Sequence, residues 1–228
     1  CARWTDNAGN LWLFGGYGRD GSVSVGRLND LWKYDIVTNQ WTWIKGNSTT
    51  NNPGIYGTQG VPASSNIPGS RESSVSWKDS NGNLWLFGGI SSTSYFNDLW
   101  MYNITTNQWT WIKGSNIANQ AGIYGTQGVP NSNNFPGSRQ SSSGWKDNSG
   151  NLWLQGGLGY DIAGSPGVLN DLWKINECTA PPTPTNTTLS GNLNICTGNN
   201  TILSAGGIGT IGWYSSATGD IYLGGGNS

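Results

Sequence analysis

The chain repeats itself. The string NLWLFGG at residues 10–16 returns at 83–89 and, as NLWLQGG, at 151–157, while NDLW starts at Asn29, Asn97 and Asn170. TNQWTWIKG starts at Thr38 and again at Thr106, and GIYGTQGVP at Gly54 and again at Gly122. Self-similarity at a long fixed period marks an array in which each unit buries its apolar face against its neighbours. The chain must therefore be built from three stacked copies of one small motif rather than around one unrepeated core.

Spacings between the copies locate the insertions. Trp4 to Trp77 and Trp12 to Trp85 are 73 residues apart, whereas Trp32 to Trp100, Trp41 to Trp109 and Trp43 to Trp111 are 68 apart. The second copy is thus five residues shorter between its double glycine and its NDLW. The third copy restores the longer spacing, since Trp77 to Trp145 is 68 and Trp100 to Trp173 is 73. Thirteen of the 14 tryptophans fall on repeat positions; Trp213 stands outside them.

Each unit reads as four short strands. Strand a ends near Trp77 or Trp145, and a D-x-x-G-N turn leads into strand b, LWLF, whose unbroken apolar run suits a strand covered on both faces. Strand c is DLWKYD. Strand d is QWTWI, where Trp41 and Trp43 share one face and Thr42 takes the other. The glycines closing strand b supply the positive backbone angles of a tight exit. Gly 36 and Trp 14 in 228 residues agree with turn-dense, all-β structure.

The double glycine after strand b, the Asp-Leu-Trp strand and the strand-d tryptophan after a Thr-Asn turn resemble kelch repeats, the blades of β-propellers, a fold also used by the galactose oxidase central domain. The resemblance covers residues 1 to about 176 and implies a propeller. It does not imply the oxidase, whose copper site needs histidine, because the chain has none.

Propellers close with roughly 4 to 8 blades, so three copies are an incomplete ring. Aligning Trp4 with Trp77 starts the chain inside strand a of its first blade, and blade three ends after strand c without a W-T-W strand. This resembles kelch rings whose last blade is completed by an N-terminal strand. The expectation is that these are the last three blades of a larger propeller whose earlier blades are missing. Residues 177–188 read as a Thr/Pro-rich linker. Residues 189–228, with Cys196 and Trp213 17 apart, resemble the front half of an immunoglobulin-like sandwich of secreted bacterial surface proteins. The fold class expected is all-β: three four-stranded antiparallel kelch-type blades of an incomplete β-propeller, then a partial Ig-like β-sandwich.

Composition bears on function mainly by exclusion. With 11 Lys and Arg against 12 Asp and Glu, the net charge is −1, too sparse in cations for a nucleic-acid surface. The absence of histidine removes the usual general base and metal ligand, and no cofactor is expected. No apolar run approaches the roughly 20 residues of a membrane span. The chain begins at Cys1 with no charged-then-apolar leader. Cys1, Cys178 and Cys196 lack metal spacing; Cys178 and Cys196 pair with each other in an oxidising compartment or with cysteines elsewhere, and a lipid on Cys1 is disfavoured by its place in a strand. Asn47, Asn103, Asn186 and Asn199 begin N-x-S/T triplets, meaningful only in a glycosylating host.

In an up-and-down meander the a–b and c–d turns lie at one end of each blade, and the b–c loops and d–a connections at the other. Here everything long belongs to the second end: b–c loops YGRDGSVSVGRL and LGYDIAGSPGVL, and d–a connections over 46–70 and 114–138. Long segments without periodic structure are where binding residues concentrate. The candidate contacts are Tyr56, Gln59, Tyr124 and Gln127 from the connections, with Asp20, Tyr160 and Asp161 from the b–c loops; aromatic planes beside amides and carboxylates suit sugar hydroxyls. The alternative is structural: an identical GIYGTQGVP in two blades staples one blade to the next, and a loop Asp caps its own turn. Asp79 and Asp147 read as turn caps, and Arg71 and Arg139 either line the central channel or pair with Asp98 or Asp171 of a neighbouring blade.

The leading functional reading is a non-catalytic binding or adhesion module, secreted or on a bacterial cell surface, recognising a glycan or protein through this long-loop face. Two others stay open: a scaffold segment of a large extracellular adhesin with no ligand of its own, and a propeller hydrolase with paired carboxylates.

Overall fold

The computed structural model describes residues 1–175 together with the strands Thr210–Tyr214 and Tyr222–Asn227. The chain divides into two compact units, Cys1–Glu177 and Cys178–Ser228. No described segment is helical. In the second unit the two strands, β15 (Thr210–Tyr214) and β16 (Tyr222–Asn227), pair antiparallel. The Thr/Pro-rich linker, the Cys178–Cys196 pairing and, apart from these two strands, the residues read as an Ig-like sandwich lie outside the described residues.

The first unit contains three antiparallel sheets in chain order. Blade one is β1 (Ala2–Thr5), β2 (Leu11–Arg19), β3 (Val25–Asp35) and β4 (Gln40–Lys45), in spatial order β1-β2-β3-β4. Blade two is β5 (Val75–Lys78), β6 (Leu84–Phe87), β9 (Leu99–Asn103) and β10 (Gln108–Lys113), with a small hairpin of β7 (Ile90–Ser91) and β8 (Ser94–Tyr95) at its b–c end. Blade three has β11 (Arg139–Gln140) and β12 (Ser143–Lys146) as a divided strand a, then β13 (Leu152–Tyr160) and β14 (Pro166–Ile175). Strands β1, β5 and β12, the first of each blade, lie side by side. That convergence of strands a is the arrangement of radial propeller blades.

Two details differ from the sequence reading. In blades one and three, strands b and c are longer than LWLF and DLWKYD: the supposed b–c loops are the continuation of the hairpin, with Tyr17 opposite Arg27 and Arg19 opposite Val25 in blade one, and Tyr160 opposite Pro166 in blade three, whereas in blade two strand b is LWLF alone. The double glycine bends the strand instead of ending it. Gly15 and Gly16 have φ of 58° and 109°, and the register shifts between Phe14 and Gly16 before pairing resumes. In addition, Cys1 precedes β1 and is exposed, rather than sitting within the strand.

The core lies between the blades. Between blades one and two, Trp4, Trp12, Phe14 and Leu31 pack with Leu84, Leu86, Trp100, Tyr102 and Trp109. Between blades two and three, Val75, Trp77, Phe87 and Leu99 pack with Leu152 and Leu154. Indoles also bridge: Trp4 Nε1 donates to the Trp77 carbonyl at 2.9 Å, and Trp77 Nε1 to that of Trp153 at 3.1 Å. The repeated tryptophans are not all buried, however. Trp109 is fully buried whereas its counterpart Trp41 is 51% exposed, and Trp77 is 4% exposed against 42% for Trp145. The difference follows from position: Trp41 and Trp145 face away from the described blades on either side.

Candidate functional site

The b–c hairpins and d–a connections share one end by connectivity, and the side chains there divide into those that brace the fold and those left free. The bracing set is built around Asp98. Arg71 forks onto it with N–O distances of 2.5 and 2.6 Å, and Tyr56 Oη and Trp100 Nε1 each donate to Oδ2 at 2.7 Å. Arg71 also donates to the carbonyls of Gly69 and Gly88. Neither Arg71 nor Asp98 is exposed. Blade three repeats the set, with Arg139, Tyr124 and Trp173 converging on Asp171. Both ion pairs lie within one blade, not between neighbouring blades: the main chain of Arg71 bonds to Leu28 and Gly16 of blade one and that of Arg139 to Phe96 and Gly89 of blade two, while each guanidinium reaches the Asp at the start of strand c in its own blade. Neither arginine is left to line a channel.

Charge and burial set the protonation states. Burial, then the neighbouring Asp171 carboxylate, pushes the Tyr124 phenol up to about 12. Tyr56 moves further in the same direction for the same reasons. Asp171 is raised by burial, but hydrogen bonds from Arg139, Tyr124 and Trp173 outweigh that and bring it down to about 2. Both tyrosines are neutral donors, and Asp171 is an ionised acceptor, at neutral pH.

Of the residues singled out in the sequence, Tyr56 and Tyr124 are thus engaged through their hydroxyls, and their rings pack on Trp100 and Trp173 at 5.0 Å between centroids. Gln59 reaches the Gly114 carbonyl at 3.5 Å; Gln127 is exposed. Asp20 accepts from the backbone N–H groups of Ser22, Ser24 and Thr50 and from the Ser22 hydroxyl, which with its neighbours holds it at about 2. Asp161 caps Ala163 and Ser165 in the same way. Tyr160 meets Tyr95 edge-on at 5.9 Å.

Asp79 and Asp147 each accept from two backbone N–H groups, an Asn amide and an indole N–H, Trp85 or Trp153 at 2.8 Å. Asp6 does the same with Trp12. Both carboxylate oxygens of each of these aspartates accept from protein donors, and no cluster of three metal-ligating side chains occurs among the described residues.

What sequence reasoning missed is a free set. Tyr17 is 60% exposed, with the Arg27 guanidinium 5.1 Å from its ring centre, and Arg27 pairs with Glu72 at 2.8 Å across the boundary of blades one and two. Elsewhere on the long hairpins and connections, Val23, Val25, Ile55, Val61, Ile117, Ile123, Val129, Leu158, Ile162 and Val168 are exposed. Eleven of the 18 exposed large apolar side chains among the described residues therefore belong to the long hairpins and connections. The alternation in the hairpins carried the signal, but only once those segments are read as strands.

Fold and site together define an array of kelch-type propeller blades whose long connections lie on one side. The Kelch motif family matches residues 80–110, which lie in blade two. Among curated proteins, the mouse (Mus musculus) and human (Homo sapiens) multiple epidermal growth factor-like domains protein 8 are each 28% identical over 99 residues, 43% of this chain. That match spans about 3% of those relatives' length. Among solved structures, that of YjhT aligns with 69% of this chain and 34% of its own, at 19% identity and a TM-score of 0.38.

Proposed function

We propose that the blades form a non-catalytic recognition module of an exported or cell-surface protein, and that its ligand is a protein held on the long-connection end. The concentration of exposed apolar side chains on the hairpins and connections carries this reading. Exposed apolar side chains concentrated at one end of a fold suit protein association, whereas sugar recognition needs free polar groups around an aromatic plane. Here the polar candidates Asp20, Asp161, Tyr56 and Tyr124 spend their groups on their own fold. The same commitments leave a hydrolase reading without a free carboxylate pair. The tryptophan faces of blades one and three are, on this reading, covered by further blades of the parent polypeptide.

The test is parallel screening of the chain against a displayed peptide library and a glycan array, followed by the triple variant Tyr17→Ser, Val25→Ser, Val168→Ser. A peptide ligand lost at least tenfold in the variant is expected. Glycan binding that survives the triple substitution sinks the proposal.

A further inference from the structure

Each blade turns from strand a into strand b through five residues of one pattern, DNAGN at 6–10, DSNGN at 79–83 and DNSGN at 147–151. The residue before the turn glycine is Ala8, Asn81 and Ser149 respectively, and Asn81 is the only asparagine in the 228 residues that glycine follows. The three turns are alike in shape. The Asp N–H donates to the closing Asn carbonyl at 3.0, 3.1 and 3.0 Å, and the glycines Gly9, Gly82 and Gly150 have φ of 88°, 86° and 88°.

What differs in blade two is the chemistry. An asparagine followed by glycine sets an electrophilic amide carbon beside a main-chain nitrogen that no side chain shields, since glycine has no Cβ. Asn81 is exposed. The Gly82 N–H donates to the Asp79 carbonyl at 3.2 Å, against 3.1 and 3.0 Å for Gly9 and Gly150. Hydrogen bonds of exposed turns open at low free energy, and opening frees this nitrogen.

We infer that Asn81 is a site of spontaneous deamidation, and that the modification loosens the turn that fastens blade two to its neighbours. The Gly82 nitrogen bonds to Cγ of Asn81 as the Cγ–Nδ2 bond breaks. Ammonia leaves with the proton that the Gly82 N–H gives up, and a succinimide ring remains. Water then opens the ring at either carbonyl carbon. Breaking the N–Cγ bond leaves aspartate; breaking the other ring C–N bond leaves isoaspartate, whose main chain runs through Cβ and Cγ and is one atom longer. Water is the sole co-reactant.

The two products act differently on the fold. Aspartate adds a charge at an exposed position and keeps the length of the main chain. Isoaspartate inserts its extra atom between Asp79 and Asn83, whose two bonds close the turn: Asp79 N–H to the Asn83 carbonyl at 3.1 Å, and Asn83 N–H to Asp79 Oδ1 at 2.8 Å. Asp79 also accepts from Trp85 Nε1 at 2.8 Å. Trp85 serves both joints of the blade, since its carbonyl accepts from Trp4 Nε1 of blade one at 3.2 Å and its ring packs on the core shared with blade three. Gly82 itself lies against Asn7 of blade one, where a Cβ would come within 3.0 Å of Nδ2, and Asn7 Oδ1 accepts from Lys78 Nζ at 3.0 Å. A longer turn shifts all of these partners.

The test incubates the 228-residue chain at mildly alkaline pH, which favours loss of the Gly82 proton, then digests it at acid pH for mass spectrometry. Exposed Asn47, Asn131 and Asn148, each followed by serine, serve as internal references. Asn81 is expected to convert on the order of tenfold faster than any of them. The acidic form that accumulates on ion exchange should be absent from Asn81→Ser, which puts blade three's own residue into the turn. The separated isoaspartate form should melt below the parent, and the aspartate form close to it. Conversion at Asn81 no faster than at the three references, or an acidic form undiminished in Asn81→Ser, overturns the site. An isoaspartate form that melts with the parent overturns the loosening.

Discussion

Asp98 and Asp171 each collect donors that arrive from three separate stretches of chain, the d–a connection, the lead into strand a and strand c itself. Removing such a carboxylate leaves an arginine buried without its counter-charge, which is costlier than losing the pair as a whole. Asp171→Asn is accordingly expected to lose about 3 kcal/mol at neutral pH, read by urea unfolding. The pH dependence has a definite sign. The folded value of Asp171 lies at about 2, below the ordinary 3.8, so its contribution is complete above roughly pH 4 and fades as the pH falls through 2. The thermal midpoint of the parent should fall more steeply between pH 4 and pH 2 than that of the Asn variant; parallel curves would show that Asp171 carries no such linkage. Arg71 and Asp98 were recognisable as partners from sequence, because a basic residue and an Asp recur in register. Their shared blade was not, since the main chain at Arg71 is held by Leu28 and Gly16 of blade one and only its side chain reaches into blade two.

At the scale of the element, the double glycine makes the same bend after LWLF or LWLQ in all three blades, with positive φ at both residues. Gly88, the first of the pair in blade two, has φ of 62°, and a Cβ there would sit 2.7 Å from the Arg139 carbonyl oxygen and 3.1 Å from that of Phe96. Gly15 and Gly156 occupy the same conformation in their blades, each with φ of 58°. Gly88→Ala thus adds a strained backbone angle and a backbone clash at the joint of blades two and three. A loss of about 2 to 4 kcal/mol is expected, whereas Gly128→Ala, with φ of 78° but open space around it, should cost only about 1 kcal/mol. Equal losses in denaturant titrations would show that the clash is relieved by movement. The four-strand meander was legible because its tryptophans and turns repeat. The continuation of β2 and β3 past Gly16 was not, because Gly, Ser and Asp dominate 18–26 and read as loop; what keeps that stretch in strand is cross-strand pairing, including Gly18 opposite Gly26. The same tertiary effect explains the candidate site: the aromatic and carboxylate residues that stood out were conspicuous because they repeat, and they repeat because they brace each blade.

For the unit as a whole, stability in an array is the sum of what each blade holds and what it shares with its neighbours. Blade two shares both faces, so Trp100, Tyr102, Trp109, Leu84 and Leu86 are all within 1% of complete burial. Blade one shares one face and leaves Trp41 and Trp43 at 51% and 48% exposure; blade three shares one face and has no described strand beyond β14. Local opening should follow that order, since regions with less buried apolar surface open at lower free energy. Native-state hydrogen exchange is expected to show β6 and β9 opening only with the whole unit, and β4 opening several kcal/mol sooner than β10, although both read QWTWIK. Identical strands with identical protection would mean that the neighbouring blade contributes nothing, and the account of the blades as mutually stabilising would fail with it.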